Sequence, residues 1–222
     1  MLQFFAKYKF FGIVLAILSI IIIFSIYSVL KPTPKLKVYQ PADFNSEVVD
    51  TTLQHVKKYH TIANFQLTNQ EGKLVTEKDY ENTIYVADFF FTTCQTICPI
   101  MTDNMVRIQE ELREDHTVKL LSHSVTPEID SVAQLKKYAL EKGVDSKKWN
   151  LVTGDRKQIY DLARKSYLAV KDLPNSEPYG MIHTENFILV DTQKRIRGIY
   201  DGTNSEEIEK LLADIEILKL EQ

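Results

Sequence analysis

Residues 10–30 read FFGIVLAILSIIIIFSIYSVL, an apolar run of 21 positions without a charge. As an α-helix rising about 1.5 Å per residue, that run spans roughly 30 Å, the thickness of a bilayer's hydrocarbon core. Phe4, Phe5, Tyr8 and Phe10 at one end and Tyr27 at the other suit the membrane–water interface. The run is too long for a cleaved signal peptide and no small-x-small site follows it, so it reads as a signal anchor. No Cys follows it either, which excludes a lipoprotein anchor. Lys7 and Lys9 precede the run, and Lys31, Lys35 and Lys37 follow it, so the positive-inside rule does not set its orientation. The leader carries no Arg, unlike a mitochondrial transit peptide, and points to a bacterial inner (cytoplasmic) membrane crossed once.

Beyond the anchor the pattern changes. Residues 31–60 hold Pro32, Pro34 and Pro41 and little periodicity, as expected of a juxtamembrane linker or arm. From residue 61 strand and helix signals alternate. Residues 63–68 and 73–76 flank Asn69-Gln70-Glu71-Gly72, a hairpin-like turn. Residues 84–91, IYVADFFF, form the short β-rich run of a central strand buried on both faces. Pro99 marks the first turn of a helix in which Ile100, Met101, Met105, Ile108 and Leu112 recur at helical spacing. Residues 118–125 predict a second strand, and residues 131–142 a helix stopped by Gly143. Asp155 can cap a helix running through Ser166. Residues 186–190 and 196–200 predict a hairpin around Thr192-Gln193-Lys194. Thr203 and Glu206 offer a capping box for a last helix reaching Leu220.

The expected organisation is a short N-terminal segment (1–9), a transmembrane signal anchor (10–30), the linker or arm (31–60) and one folded domain (61–222). Its element order predicts an α/β domain of three layers with a mixed sheet, for which the thioredoxin-like architecture is the smallest common solution. Charge narrows the partners. The whole chain carries 27 bases and 30 acids, but the first 35 residues hold four Lys and no acid, which leaves the remainder at −7. An acidic domain lacks the basic surface that nucleic acid requires, so no nucleic-acid partner is expected.

Two cysteines cannot build a disulfide framework, so their placement must be read as chemistry. Cys94 and Cys98 sit in FFFTTCQTICPIMTDNM, at the end of the buried strand and just before a helix N-terminus. Strand ends of an open α/β sheet form the usual ligand crevice, and a helix N-terminus stabilises a thiolate. The i, i+4 spacing places both sulfurs on one side of a loop or first turn, able to grip one ion. Three roles are compatible with this: two small residues that pack, a redox couple akin to C-x-x-C, or soft ligands for a thiophilic metal, copper above all. The extra residue changes the ring size of a redox couple, and no further Cys exists to complete a four-ligand zinc site. A third ligand would separate metal from redox. Among the histidines, His55 and His60 lie in the arm and read as solvated, and His116 reads as a surface residue in a charged turn. His123 reads as a hydrogen-bonded packing residue within a strand. His183 differs, because it follows a loop with Pro174, Asn175, Pro178 and Gly180 and directly precedes a strand, where it can approach the thiols without disturbing the core.

Several ordered motifs resemble the Sco/SenC family of membrane-anchored copper proteins, which assist assembly of the CuA centre of cytochrome c oxidase. They are Phe91, Thr93, Cys94, Cys98 and Pro99, then Ser124-Val125 with Pro127-Glu128 and Asp130, then the stretch from Trp149 to Gly154. Tyr179, His183 and the run Phe187-Ile188-Leu189-Val190-Asp191 complete the pattern. The resemblance implies a thioredoxin-like fold in which Cys94, Cys98 and His183 bind Cu(I) or Cu(II), with the domain on the oxidising, extracytoplasmic side. It implies a copper metallochaperone whose client is an oxidase subunit carrying CuA or another cuproprotein, and whose dithiol is restored by a thioredoxin-like reductant. Thr126 and Ile182 depart from the family, which commonly has Asp at both positions, and their loss alters the hydrogen bonding available around the site. The rival function is a thiol–disulfide oxidoreductase or peroxide-consuming enzyme cycling Cys94 and Cys98. A copper sensor would use the same site but would need an output domain that this chain lacks.

Overall fold

The computed structural model describes residues 9–30, 34–44, 53, 55–169 and 184–221, and the chain divides into a unit ending at Pro34 and a unit beginning at Lys35. The first unit contains helix α1 (Lys9–Leu30), whose stretch Lys9–Tyr27 has a mean hydropathy of 2.8 and is long and apolar enough to cross a membrane.

The second unit is organised around one buried strand. Its sheet consists of β1 (Gln66–Asn69), β2 (Leu74–Thr76), β3 (Ile84–Phe90), β4 (Val118–Ser124), β5 (Trp149–Thr153), β6 (Asn186–Val190) and β7 (Ile196–Asp201). The described residues place these seven strands in the order β2–β1–β5–β4–β3–β6–β7. Every residue of β3 is buried, as its unbroken β-rich sequence requires. It runs parallel to β4, with Ile84 opposite Val118 and Phe90 opposite Ser124, and antiparallel to β6. Strand alternation sends Tyr85, Ala87 and Phe89 into one core and Ile84, Val86 and Phe90 into the other.

Helices α2 (Ile97–Glu111), α3 (Val132–Lys142) and α5 (Ser205–Leu220) line the second core. Helix α4 (Arg156–Asp161), continued by a π-helical turn at Leu162–Ser166, lines the first. The result is the expected three-layer thioredoxin-like fold with a mixed sheet. Helix α2 returns the chain from β3 to β4 and buries Met101, Met105 and Ile108 completely, each such side chain contributing roughly 1.5–3 kcal/mol by burial. Ser131 caps α3 through Gln134 N, and Gly143 ends it at φ 73°, a left-handed conformation that glycine adopts without strain.

Two local expectations are corrected and a third is refined. Helix α2 starts at Ile97, so Cys98 lies within its first turn and Pro99 is its third residue. The helix capped by Asp155 does reach Ser166, but its last turn widens to π geometry. The cap of α5 is Asn204, whose side-chain carbonyl accepts from Glu206 N and Glu207 N, while the Thr203 hydroxyl donates to Asp201 Oδ1 at 2.6 Å. Thr203 is consumed by the turn that ends β7, and the next polar residue caps the helix instead.

Part of the arm is built into the domain. Tyr39 N donates to Ile196 O on the edge strand β7 at 2.9 Å. Arg197, only 4% exposed, donates from Nη2 to Leu36 O at 2.8 Å and from Nη1 to Asp191 Oδ2 at 3.1 Å, and also pairs with Glu221. One buried guanidinium thus ties the arm, the β6–β7 turn and the end of α5 together.

Candidate metal centre

Where β3 ends, Val125 N donates to Phe90 O at 2.9 Å and keeps the ends of β3 and β4 aligned. The chain then leaves the sheet through a short loop, residues 91–96, and enters α2. Cys94 lies in this loop, half-buried, and its backbone N–H donates to Phe91 O at 3.3 Å. Cys98, one turn on, is 3% exposed. Both thiols are free.

Their environments are unequal. Burial pushes the Cys94 thiol up, but hydrogen bonds from the Thr96 hydroxyl, from Cys98 and from the backbone at both residues outweigh it and bring it down to about 7. The Thr96 Oγ1 lies 3.5 Å from the sulfur. Burial dominates at Cys98 and pushes its thiol up to about 12, with the neighbouring Cys94 and Asp88 adding to the rise despite a backbone hydrogen bond at Phe91. Near neutral pH the pair therefore presents one readily ionised sulfur at the rim and one protonated sulfur beneath it. Two soft donors on adjacent turns suit a thiophilic ion, which would displace the Cys98 proton on binding. The same asymmetry suits thiol exchange, in which the exposed thiolate attacks and the buried thiol resolves.

Among the described residues, no third His, Cys, Asp or Glu joins these thiols in a group able to hold a metal. His183 lies outside the described residues, as do Tyr179 and Ile182. The described positions on either side of that segment are bonded to one another. The buried Thr184 hydroxyl donates to Ala169 O at 2.8 Å, and Asn186 Nδ2 donates to the same oxygen at 3.0 Å. Of the other histidines, His55 and His116 are exposed and His123 is completely buried, stacked on Phe89 with ring centroids 4.8 Å apart. His60 corrects its sequence reading. It is partly buried, and its Nε2 lies 2.7 Å from Ser166 O, so it pins the arm to the π turn.

Residues the sequence reading passed over matter here. Thr96 stabilises the Cys94 thiolate. Asp88 sits in mid-β3 on the face that α2 covers, with Oδ1 lacking a partner among the described residues. Burial pushes its carboxyl up to about 7 against a hydrogen bond from Ser122. The signal for it was an acid inside an otherwise apolar strand, IYVADFFF. The departure at Thr126 also has a local explanation, since its hydroxyl donates to Asp130 Oδ2 at 3.0 Å, a bond that an ionised Asp could not give.

A thioredoxin-like domain with an unequal thiol pair where the central strand gives way to a helix defines a class of proteins that handle thiols or thiophilic metals. The chain belongs to the SCO1/SenC family, whose family model matches residues 54–219. It is 34% identical over 153 residues to the SCO1 protein homolog of Bacillus subtilis (strain 168), spanning 68% of this chain and 79% of that one. The structure of BsSco, described as a member of the Sco family of cytochrome c oxidase assembly proteins with a disulfide switch, superposes with a TM-score of 0.62 at 31% identity. That match covers 72% of this chain and 93% of BsSco. ScoI of Arabidopsis thaliana, solved with copper bound, superposes with a TM-score of 0.56 at 25% identity, covering 69% of this chain and 97% of that one.

Proposed function

We propose that this protein is a membrane-anchored copper metallochaperone that assists assembly of a respiratory oxidase copper site, CuA, or of another cuproprotein. Cys94, Cys98 and His183 hold the ion as cargo. Two thiolates suit Cu(I), and an imidazole adds a ligand acceptable to Cu(II). Helix α1 anchors the chain in the cytoplasmic membrane as a single pass, with the domain on the extracytoplasmic side. The observation that carries this reading is the convergence of both sulfurs at the end of β3 in a member of a family with copper-bound relatives.

Redox state gates loading. Oxidation of the two thiols to one disulfide releases two electrons and two protons and removes two of three ligands. On the oxidising side of a membrane a thioredoxin-like dithiol reductant must therefore return the electron pair and protons before copper binds. Transfer proceeds by ligand exchange, the client's donors replacing these one at a time.

The test is copper titration of the reduced full chain in detergent, followed by sulfur-to-Cu(II) charge-transfer absorption. The wild type binds one equivalent, and Cys94→Ser, Cys98→Ser and His183→Ala each weaken binding strongly. Full binding by His183→Ala would remove the imidazole from the site, and no binding by the wild type would overturn the reading. The unequal thiols favour a second reading, a thiol–disulfide oxidoreductase in which Cys94 attacks and Cys98 resolves. Efficient reduction of a protein disulfide by the metal-free dithiol would support it.

A further inference from the structure

We propose that Asp130 is a positioning residue that sets the conformation of the thiol-bearing loop, acting through Thr92. Asp130 is fully buried. Its Oδ1 accepts from Thr92 Oγ1 at 2.5 Å, and its Oδ2 accepts from Ser124 Oγ at 2.6 Å, Thr126 Oγ1 at 3.0 Å and Thr92 N at 3.2 Å. Among the described residues no cation pairs with it. A carboxylate withdrawn from water without a counter-ion is tolerated only when donors replace its hydration, and such charge-assisted bonds hold their donors in fixed orientation.

The donors come from three separate pieces of chain: the loop after β3, the end of β4, and the turn leading into α3. Thr92 is gripped through both its main chain and its side chain. Its hydroxyl donates to Asp130 and accepts from Gln134 Nε2 on α3 at 3.1 Å, so the rotor is locked from both sides. Cys94 follows two residues later, and its N–H closes a turn over Thr92 onto Phe91 O at 3.3 Å. Fixing Thr92 therefore fixes where Cys94 leaves the sheet and how its sulfur meets Thr96 and Cys98. Asp130 touches neither sulfur and acts only through this turn.

The inference rests on the reading that Cys94 and Cys98 are the working groups. It is tested on the reduced full chain in detergent with Thr92→Val, Thr92→Ser and Asp130→Asn. Two readouts beyond folding are followed: the rate of Cys94 alkylation by iodoacetamide at neutral pH, and affinity for added copper. Thr92→Val removes only the hydroxyl, changes the alkylation rate severalfold and lowers copper affinity about 10-fold. Thr92→Ser restores both, and adding Asp130→Asn to Thr92→Val changes the alkylation rate by less than Asp130→Asn does alone, because only the hold on the Thr92 main-chain N–H is left to lose. A folded Thr92→Val protein with wild-type alkylation and copper affinity overturns the proposal, as does failure of Thr92→Ser to restore them. Should Asp130→Asn not fold, the Val and Ser variants of the half-buried Thr92 decide alone. A wild type that binds no copper would sink the chaperone reading but not this one, because the alkylation arm needs no metal.

Discussion

His123 and Asp88 are buried on neighbouring strands and joined by a 3.3 Å hydrogen bond from the imidazole Nδ1 to the Asp88 main-chain carbonyl, while their side chains occupy opposite faces of the sheet. Each titrates abnormally, and in opposite senses.

Burial raises the Asp88 carboxyl from 3.8 to about 7, so across that window the folded state holds a proton that the unfolded chain has lost. Its contribution to stability falls as pH rises. Burial lowers His123 from 6.5 to about 4, the backbone bond from Asp88 opposing, so across that window the unfolded chain holds the extra proton and stability rises with pH. The two slopes, each on the order of 1 kcal/mol per pH unit, oppose one another between about pH 4 and 6.5. We expect urea unfolding of the detergent-solubilised chain to vary little there. Asp88→Asn, which removes only the falling contribution, should gain stability steadily with pH over the same range. An equally flat profile for Asp88→Asn would refute the assignment.

The rim thiol gives a second prediction. Cys94 should react with iodoacetamide along a titration curve centred near pH 7, whereas Cys98 should stay unlabelled until the domain unfolds. Thr96→Val removes the hydroxyl that most stabilises the thiolate and should slow labelling at neutral pH about threefold or more. Mass spectrometry of timed digests reads both cysteines separately, and equal labelling of the two would contradict the burial difference.

Arg197 supplies a third. Arg197→Ala leaves the buried Asp191 without one of its two arginines and Glu221 without its own. Loss of one partner from a buried ion pair costs about 3–5 kcal/mol. The variant should unfold at lower urea and be cleaved near residues 36–39, because the carbonyls of Leu36 and Lys37 lose the guanidinium that donates to them. Resistance to protease at that segment would show that the arm is held by other contacts.

The sequence announced what depends on periodicity and on strong local signals. The unbroken run of β3, the helical recurrence of Met101, Met105 and Ile108, the Gly143 stop and the thiol pair at a strand end were all legible. What escaped depends on competition among similar polar groups. Thr203 and Asn204 are both good caps, and only the turn closing β7 decides between them. Thr92, Ser124 and Thr126 are ordinary hydroxyl residues until folding gathers them around one carboxylate. His60 looked solvated because nothing in the arm's composition foretold that it would meet the π turn more than a hundred residues away in sequence.

The hydrogen bond from Tyr39 to Ile196 has a consequence for self-association. By strand order β7 is an outer strand, whose unpaired main chain invites pairing with another molecule. Residues 36–39 shield part of that border and so guard against sheet-to-sheet sticking between copies. Trimming the protein back to Thr61 would remove this guard together with the carbonyls that satisfy Arg197, leaving a domain prone to aggregate for reasons unrelated to its thiols.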